Sequence, residues 1–315
     1  MRFGPAARSL FAFGAGALAF AITTFTSAYA ADIVRPVVVP PPAPPPAATG
    51  LLGLFIGTGN WSDNMRADSG HFKVWGGEAR ANAFLAPRMS VQGDLEAEAT
   101  DTGFGPGFII DDHRILGAAG GHLSMRNQTH LVGVFGGAVG SSEVYHSDYG
   151  PTTNWFLGGE AQAYLSHVTL YAQAGYARPF DLVNDYGSQF WFARGVVRVF
   201  VTPNDKIEGE FGYATGNFTG QGCGATCQRV RTTEWDVLYE HKFMAPLSAF
   251  VEYAAMTTLN VDDTILNPKG TESQIMGGIK IYMGQPTLLA NDRAGATLDL
   301  PKIGRQLFWN GWNSQ

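Results

Sequence analysis

Four groups of residues in this sequence have the types and spacing to do chemistry. His122 and Ser124 lie two positions apart. On an extended chain both fall on one face, where a histidine could serve as base to a serine nucleophile if a third polar group oriented the imidazole. No such partner is legible, and the pair sits on the charged parity of its segment, away from a lipid substrate, so no enzyme is expected. Cys223 and Cys227 lie in the Gly-rich stretch Gln221-Gly222-Cys223-Gly224-Ala225-Thr226-Cys227. Two thiolates make a poor zinc site, which takes about four ligands, and a short disulfide loop is the expectation. Asp111-Asp112-His113, Tyr145-His146-Ser147-Asp148 and Asp262-Asp263 offer oxygen ligands without the spacing of a dedicated calcium loop, so neither metal nor cofactor is expected.

The fourth group is the largest. Glu78, Arg80, Asp94, Glu96, Glu98, Arg114, Glu160, Arg194, Arg198, Glu208, Glu210, Glu234, Asp236 and Glu252 all occupy alternate positions of extended segments, as do Lys206, Glu240, Lys242, Glu272 and Lys280. Together they are twelve acids and seven bases, a sum of 7 − 12 = −5. Gathered around one wet cavity, such a wall concentrates cations moderately, because the bases neutralise part of the acids.

The elements that must position these charges follow from the period of the chain. From Leu51 onward the period is two. Trp75, Gly77, Ala79, Ala81, Ala83 and Leu85 alternate with Gly76, Glu78, Arg80, Asn82 and Phe84. A strand sorts residues in this way, whereas a helix would smear the charges around its surface. The pattern predicts twelve strands, at 51–59, 71–86, 88–100, 114–126, 128–139, 154–166, 168–177, 188–201, 205–215, 230–243, 247–257 and 272–283. Short connections, such as Ala86-Pro87 and Ala245-Pro246, alternate strictly with long ones, such as 101–113 and 216–229. That asymmetry fits a membrane barrel with short periplasmic turns and long external loops. Trp75, Trp155, Trp191 and Trp235 lie on the apolar parity near the starts of even-numbered strands, with Tyr176 and Tyr213 at the same level. Amphipathic rings gathered at one depth predict an aromatic girdle at the headgroups. The predicted fold class is all-β: a transmembrane antiparallel β-barrel, closed and up-and-down, of about twelve strands.

Composition excludes other classes. Charged residues are 15% of the chain, against roughly 25% in soluble domains. Aromatic content of 12% argues against disorder, and 27 acids against 21 Lys and Arg argue against a nucleic-acid partner. Arg2 and Arg8, the apolar run Leu10 to Ile22 and Ala28-Tyr29-Ala30 predict a cleaved secretory signal peptide over 1–30. The Pro-rich stretch within 31–50 predicts a stiff periplasmic linker, 51–283 the barrel and 284–315 a C-terminal periplasmic tail. The sequence does not choose among a plug, a binding segment and a loose end for that tail.

With its signal peptide, its Ala-Asp start before a Pro-rich stretch, and segments such as Gly77-Glu78-Ala79-Arg80-Ala81 and Gly159-Glu160-Ala161-Gln162-Ala163-Tyr164, the chain resembles bacterial outer-membrane β-barrel proteins, most closely the porin-like ones of alphaproteobacteria. The resemblance covers about 51–283 as a pattern rather than a motif. It implies residence in outer-membrane lipid and assembly by the outer-membrane insertion machinery. Such barrels usually end on a C-terminal aromatic; here Tyr282-Met283 closes the last strand and residues 284–315 follow. Twelve strands give a backbone radius on the order of 12 Å, a size that favours an open lumen over a filled one. The leading functional expectation is a passive pore for small hydrophilic solutes or ions, mildly cation-favouring. A non-conducting barrel with a structural, adhesion or surface-binding role through its external loops is the second reading, and oligomeric state is not legible.

Overall fold

The computed structural model describes residues 48–63, 68–103, 111–141, 152–180, 187–219, 229–260 and 269–302. The strands are β1 (Ala48–Asp63), β2 (Asp68–Ala86), β3 (Met89–Gly103), β4 (Asp111–Arg126), β5 (His130–Ser141), β6 (Thr152–Tyr164), β7 (Val168–Pro179), β8 (Gly187–Thr202), β9 (Asp205–Thr219), β10 (Arg229–Met244), β11 (Leu247–Asn260) and β12 (Lys269–Met283). Each pairs antiparallel with its sequence neighbours, and β1 pairs with β12, so the sheet closes without an edge. One short helix, α1 (Leu288–Ala294), follows β12.

Polarity is inverted relative to a soluble protein. On β10, Trp235, Val237, Tyr239 and Phe243 are exposed, while Glu234, Asp236, Glu240 and Lys242 are buried. On β1, Leu52, Leu54 and Ile56 are 49%, 64% and 70% exposed. A continuous apolar belt of this extent on the outside, with charges inside, is the arrangement hydrocarbon demands. The outward tryptophans gather toward the long-loop end. Trp75, Trp191 and Trp235 are exposed, and Trp155 is half-buried. Tyr176 lies 5.9 Å from Trp155 and 5.0 Å from Trp191, and Trp235 lies 5.2 Å from Tyr253, between ring centroids.

The inner face also carries apolar matter that the alternation does not announce. Phe135, Phe156, Phe190 and Phe192 point inward and form one cluster. Their rings cross onto neighbouring strands where glycine leaves room: a Cβ at Gly175 would lie 2.5 Å from Phe192 Cζ and 2.6 Å from the Leu157 carbonyl oxygen. Register shifts occur beside three short turns, between Phe84 and Ala86, Phe200 and Thr202, and Lys242 and Met244. Such bulges bend a strand where the chain must reverse.

Candidate functional site

The lumen is filled rather than open, because the chain folds back into it after β12. Gly284 has φ 98°, a left-handed conformation that favours glycine, and a Cβ there would meet Thr49 Cγ2 at 2.9 Å. Thr287 then caps α1, its hydroxyl oxygen accepting from the Ala290 N–H at 3.0 Å. The helix seats at the short-turn end: Leu288 packs with Leu51, Phe200 and Tyr282, and the Leu289 N–H donates to the Pro203 carbonyl at 3.0 Å. Arg293 donates to the Leu165 carbonyl at 2.6 Å and lies 4.5 Å from the Tyr164 ring centroid.

Beyond α1 the segment runs inward, extended, along the charged wall. Leu298 is fully buried among Leu131, Tyr164, Tyr171 and Val196. The Gln92 side chain holds its backbone at both poles, donating to the Leu298 carbonyl at 2.7 Å and accepting from its N–H at 3.3 Å. Leu300 joins the Phe135–Phe192 cluster, lying over Gly120, where a Cβ would be 2.6 Å from Leu300 Cδ2. Lys302 pairs with Asp236 and, at 3.1 Å, with Glu252.

Asp299, between the two leucines, is the electrostatic centre. Arg80 donates to one carboxylate oxygen, and Arg194 (3.1 Å) and Arg198 (2.7 Å) donate to the other. Burial pushes the Asp299 carboxyl upward, but the guanidinium charges of Arg80, Arg198 and Arg194 outweigh it and hold it well below the usual carboxylate range. Its backbone carbonyl accepts from Gln173 at 2.8 Å. Nearby, Asp292 of α1 pairs with Arg198 at 3.1 Å and accepts from the Thr169 hydroxyl at 2.5 Å.

The wall charges also pair among themselves. Glu78 meets Arg80 and, at 3.0 Å, Lys280; Glu208 meets Arg198 at 2.8 Å and Lys206 at 3.2 Å; Glu210 lies 3.5 Å from Arg194. Asp94, Glu98, Glu160, Glu234, Asp236 and Glu252 are buried on the inner face, and Glu96 lines the remaining cavity. The side chain of Arg114, and all of Cys223 and Cys227, lie outside the described residues. The cavity left beside the segment is about 120 Å³, enough to hold water against the charged wall.

His122 and Ser124 are not a catalytic pair. The imidazole lies between two carboxylates, Glu160 at 2.9 Å from Nδ1 and Asp94 at 3.0 Å from Nε2. Both ring nitrogens are thus engaged away from Ser124, whose hydroxyl is 3.0 Å from that of Ser90. The two carboxylates sit on opposite sides of the ring and do not converge on one ion; among the described residues no cluster is placed to hold a metal.

Sequence reasoning missed Gln92, Gln173, Asp292, Leu298, Asp299, Leu300 and Lys302. The available signal was Leu298-Asp299-Leu300, a period-two triplet whose apolar members flank one acid.

No family model matches the chain, and no curated protein matches it. Solved structures do. An outer membrane channel from Pseudomonas putida F1 matches with a TM-score of 0.57 at 12% identity, over 78% of this chain and all of that one. Two further matches have scores of 0.45 and 0.41: a deltaS2 mutant of the TodX monoaromatic hydrocarbon channel, at 10% identity over 76% of this chain and 91% of that one, and the KdgM porin, at 9% identity over 72% and 98%. At these identities the first of them speaks to the fold alone: this chain shares the closed-barrel fold of an outer membrane channel.

Proposed function

We propose that the chain is an outer-membrane channel for small hydrophilic solutes, closed in the state described here by residues 288–302. The observation that carries this reading is how the lumen is filled. The wall side chains do not fill the barrel by themselves; a separate C-terminal segment does, along a wall whose charges are already paired. With the segment withdrawn, that wall borders water. The inward charges named from the sequence sum to −5, and to −4 once the inward, buried Arg126 is counted, which makes the open path mildly cation-favouring. In this reading residues 1–30 are a cleaved signal peptide, 31–50 a periplasmic linker, the short turns face the periplasm, and the insertion machinery assembles the barrel in outer-membrane lipid.

The filled lumen also supports the second reading, a non-conducting barrel acting through its long loops, if the segment never leaves. Planar-bilayer recording of the full chain separates the two. The expected result is rare, discrete openings from a protein that fractionates with the outer membrane and migrates faster on a denaturing gel when unboiled. A barrel with that heat-dependent shift that never conducts, even when the docked segment is weakened, would establish the non-conducting reading.

A further inference from the structure

Resting on the reading of the lumen as a solute path, we propose that Arg80, Arg194 and Arg198 form a subsite for the carboxylate of a small organic acid, which Asp299 occupies in the closed state. The geometry is that of a ligand and its site. Arg80 stands on β2 and the other two on β8, six strands apart either way around the twelve-strand ring. Guanidiniums from opposite walls converge on one carboxylate, which therefore lies near the axis that a solute must follow.

The three arginines keep partners on the wall besides their contacts to Asp299, Asp292 and the carbonyls of residues 297, 298 and 300. Each has its own wall acid: Glu78 for Arg80, Glu210 at 3.5 Å for Arg194, Glu208 at 2.8 Å for Arg198. The Tyr171 ring lies 5.4 Å from the Arg194 guanidinium carbon and 5.2 Å from that of Arg198, fixing both planes. Planar guanidiniums held in this way present N–H pairs that match a carboxylate.

The donor set, rather than the net charge of the wall, selects the sign of the occupant: three guanidiniums offer N–H donors and no acceptor. The wall groups around the cavity include five bases, Arg80, Arg194, Arg198, Lys206 and Lys280, and five acids, Glu78, Glu96, Glu208, Glu210 and Glu252. When Asp299 leaves, three guanidiniums lose a shared carboxylate at once; water can take the vacated hydrogen bonds, but only an anion restores the charge-assisted contact. An organic acid entering from the long-loop end thus competes with Asp299 for the same donors and favours the undocked segment. Ion flux reads the summed wall charge, whereas binding reads these three guanidiniums, so a mild preference for potassium over chloride coexists with a carboxylate subsite.

The test uses the full-length chain and succinate as probe. In bilayers at fixed ionic strength, succinate should raise the open probability of the wild type saturably, while choline chloride should not. Asp299→Asn should open more often than wild type and bind succinate by calorimetry in detergent. Arg194→Gln in the Asp299→Asn background should weaken that binding at least tenfold, with the heat-dependent gel shift reporting that the barrel is intact. An Asp299→Asn channel that conducts but neither binds nor responds to succinate overturns the subsite and leaves the channel reading standing. Arginine-dependent succinate binding by barrels that never conduct overturns the channel reading instead and leaves the subsite.

Discussion

We predict that Leu300→Ala unlatches the lumen. Leu300 is 5% exposed and packs with Phe135, Phe156, Phe190 and Phe192. Truncating a buried leucine to alanine costs ~2–5 kcal/mol, the low end applying where water or neighbours can fill the gap. A polar cavity borders this cluster, so about 2 kcal/mol is the appropriate figure, or roughly 30-fold in the docking equilibrium at tenfold per ~1.4 kcal/mol. Leu298 is fully buried in a different cluster, so Leu298→Ala should act nearly independently, and the double variant should shift docking by about 4 kcal/mol, close to a thousandfold. The assay is single-channel recording, with open probability rising in that order from wild type to double variant. Leu54→Ala, on the outward face and 64% exposed, should leave gating unchanged. Correctly inserted single and double variants with wild-type open probability would refute the idea that this segment bars the path.

Three further outcomes follow from the same geometry. Glu96→Gln with Glu98→Gln removes two lumen acids of β3 while sparing Asp94, which lies 3.0 Å from His122; under a KCl gradient the reversal potential should move toward chloride, and a wild-type channel already preferring chloride would contradict the inward charge sum. Gly175→Val pushes methyl groups into the Phe192 ring and the Leu157 backbone, so the barrel should lose ~1–3 kcal/mol, read as a lower temperature for loss of the fast-migrating band; an unshifted transition would mean that the ring swings away freely. We also predict that Cys223 and Cys227 form a disulfide in exported protein, which mass spectrometry of the unreduced chain would disprove by finding two alkylatable thiols.

What the sequence makes legible here depends on whether a residue's partner is local. Along β10, Glu234, Asp236 and Glu240 alternate with Trp235, Val237 and Tyr239, and hydrocarbon on one side and polar matter on the other leave that alternation little freedom. The expected twelve strands and closed topology accordingly stand, with ends displaced by a few residues: β1 runs Ala48–Asp63 rather than 51–59. Beyond the apolar belt, pairing continues where no polarity pattern marks it. On β5 the signal fails for a different reason. Val132 and Val134 face outward while Leu131, Phe135 and Val139 face inward, so both parities are apolar and period two says nothing about which is which. The docked segment was hidden most completely, since Arg80 and Asp299 are 219 positions apart. Nothing in Leu298-Asp299-Leu300 names three arginines on opposite walls.

A barrel of twelve strands faces a problem of size that eight-stranded ones avoid, because side chains from opposite walls no longer meet at the axis. This chain answers in two layers. Glycines on the inner face, Gly175 among them, let phenylalanine rings lie across neighbouring strands, which keeps the wall thin and leaves a central space. The segment 288–302 then fills that space, with two leucines seated in apolar hollows and one carboxylate between them. Had the interior been apolar throughout, withdrawing the segment would expose greasy wall to water, and closure would be permanent in practice. Instead Arg194, Arg198 and Arg80 keep Glu210, Glu208 and Glu78 when Asp299 departs, and water can take the vacated hydrogen bonds. On the proposed channel reading, the contacts that make closure specific are therefore ones whose loss the wall can tolerate, while the two leucines set how rarely the segment leaves.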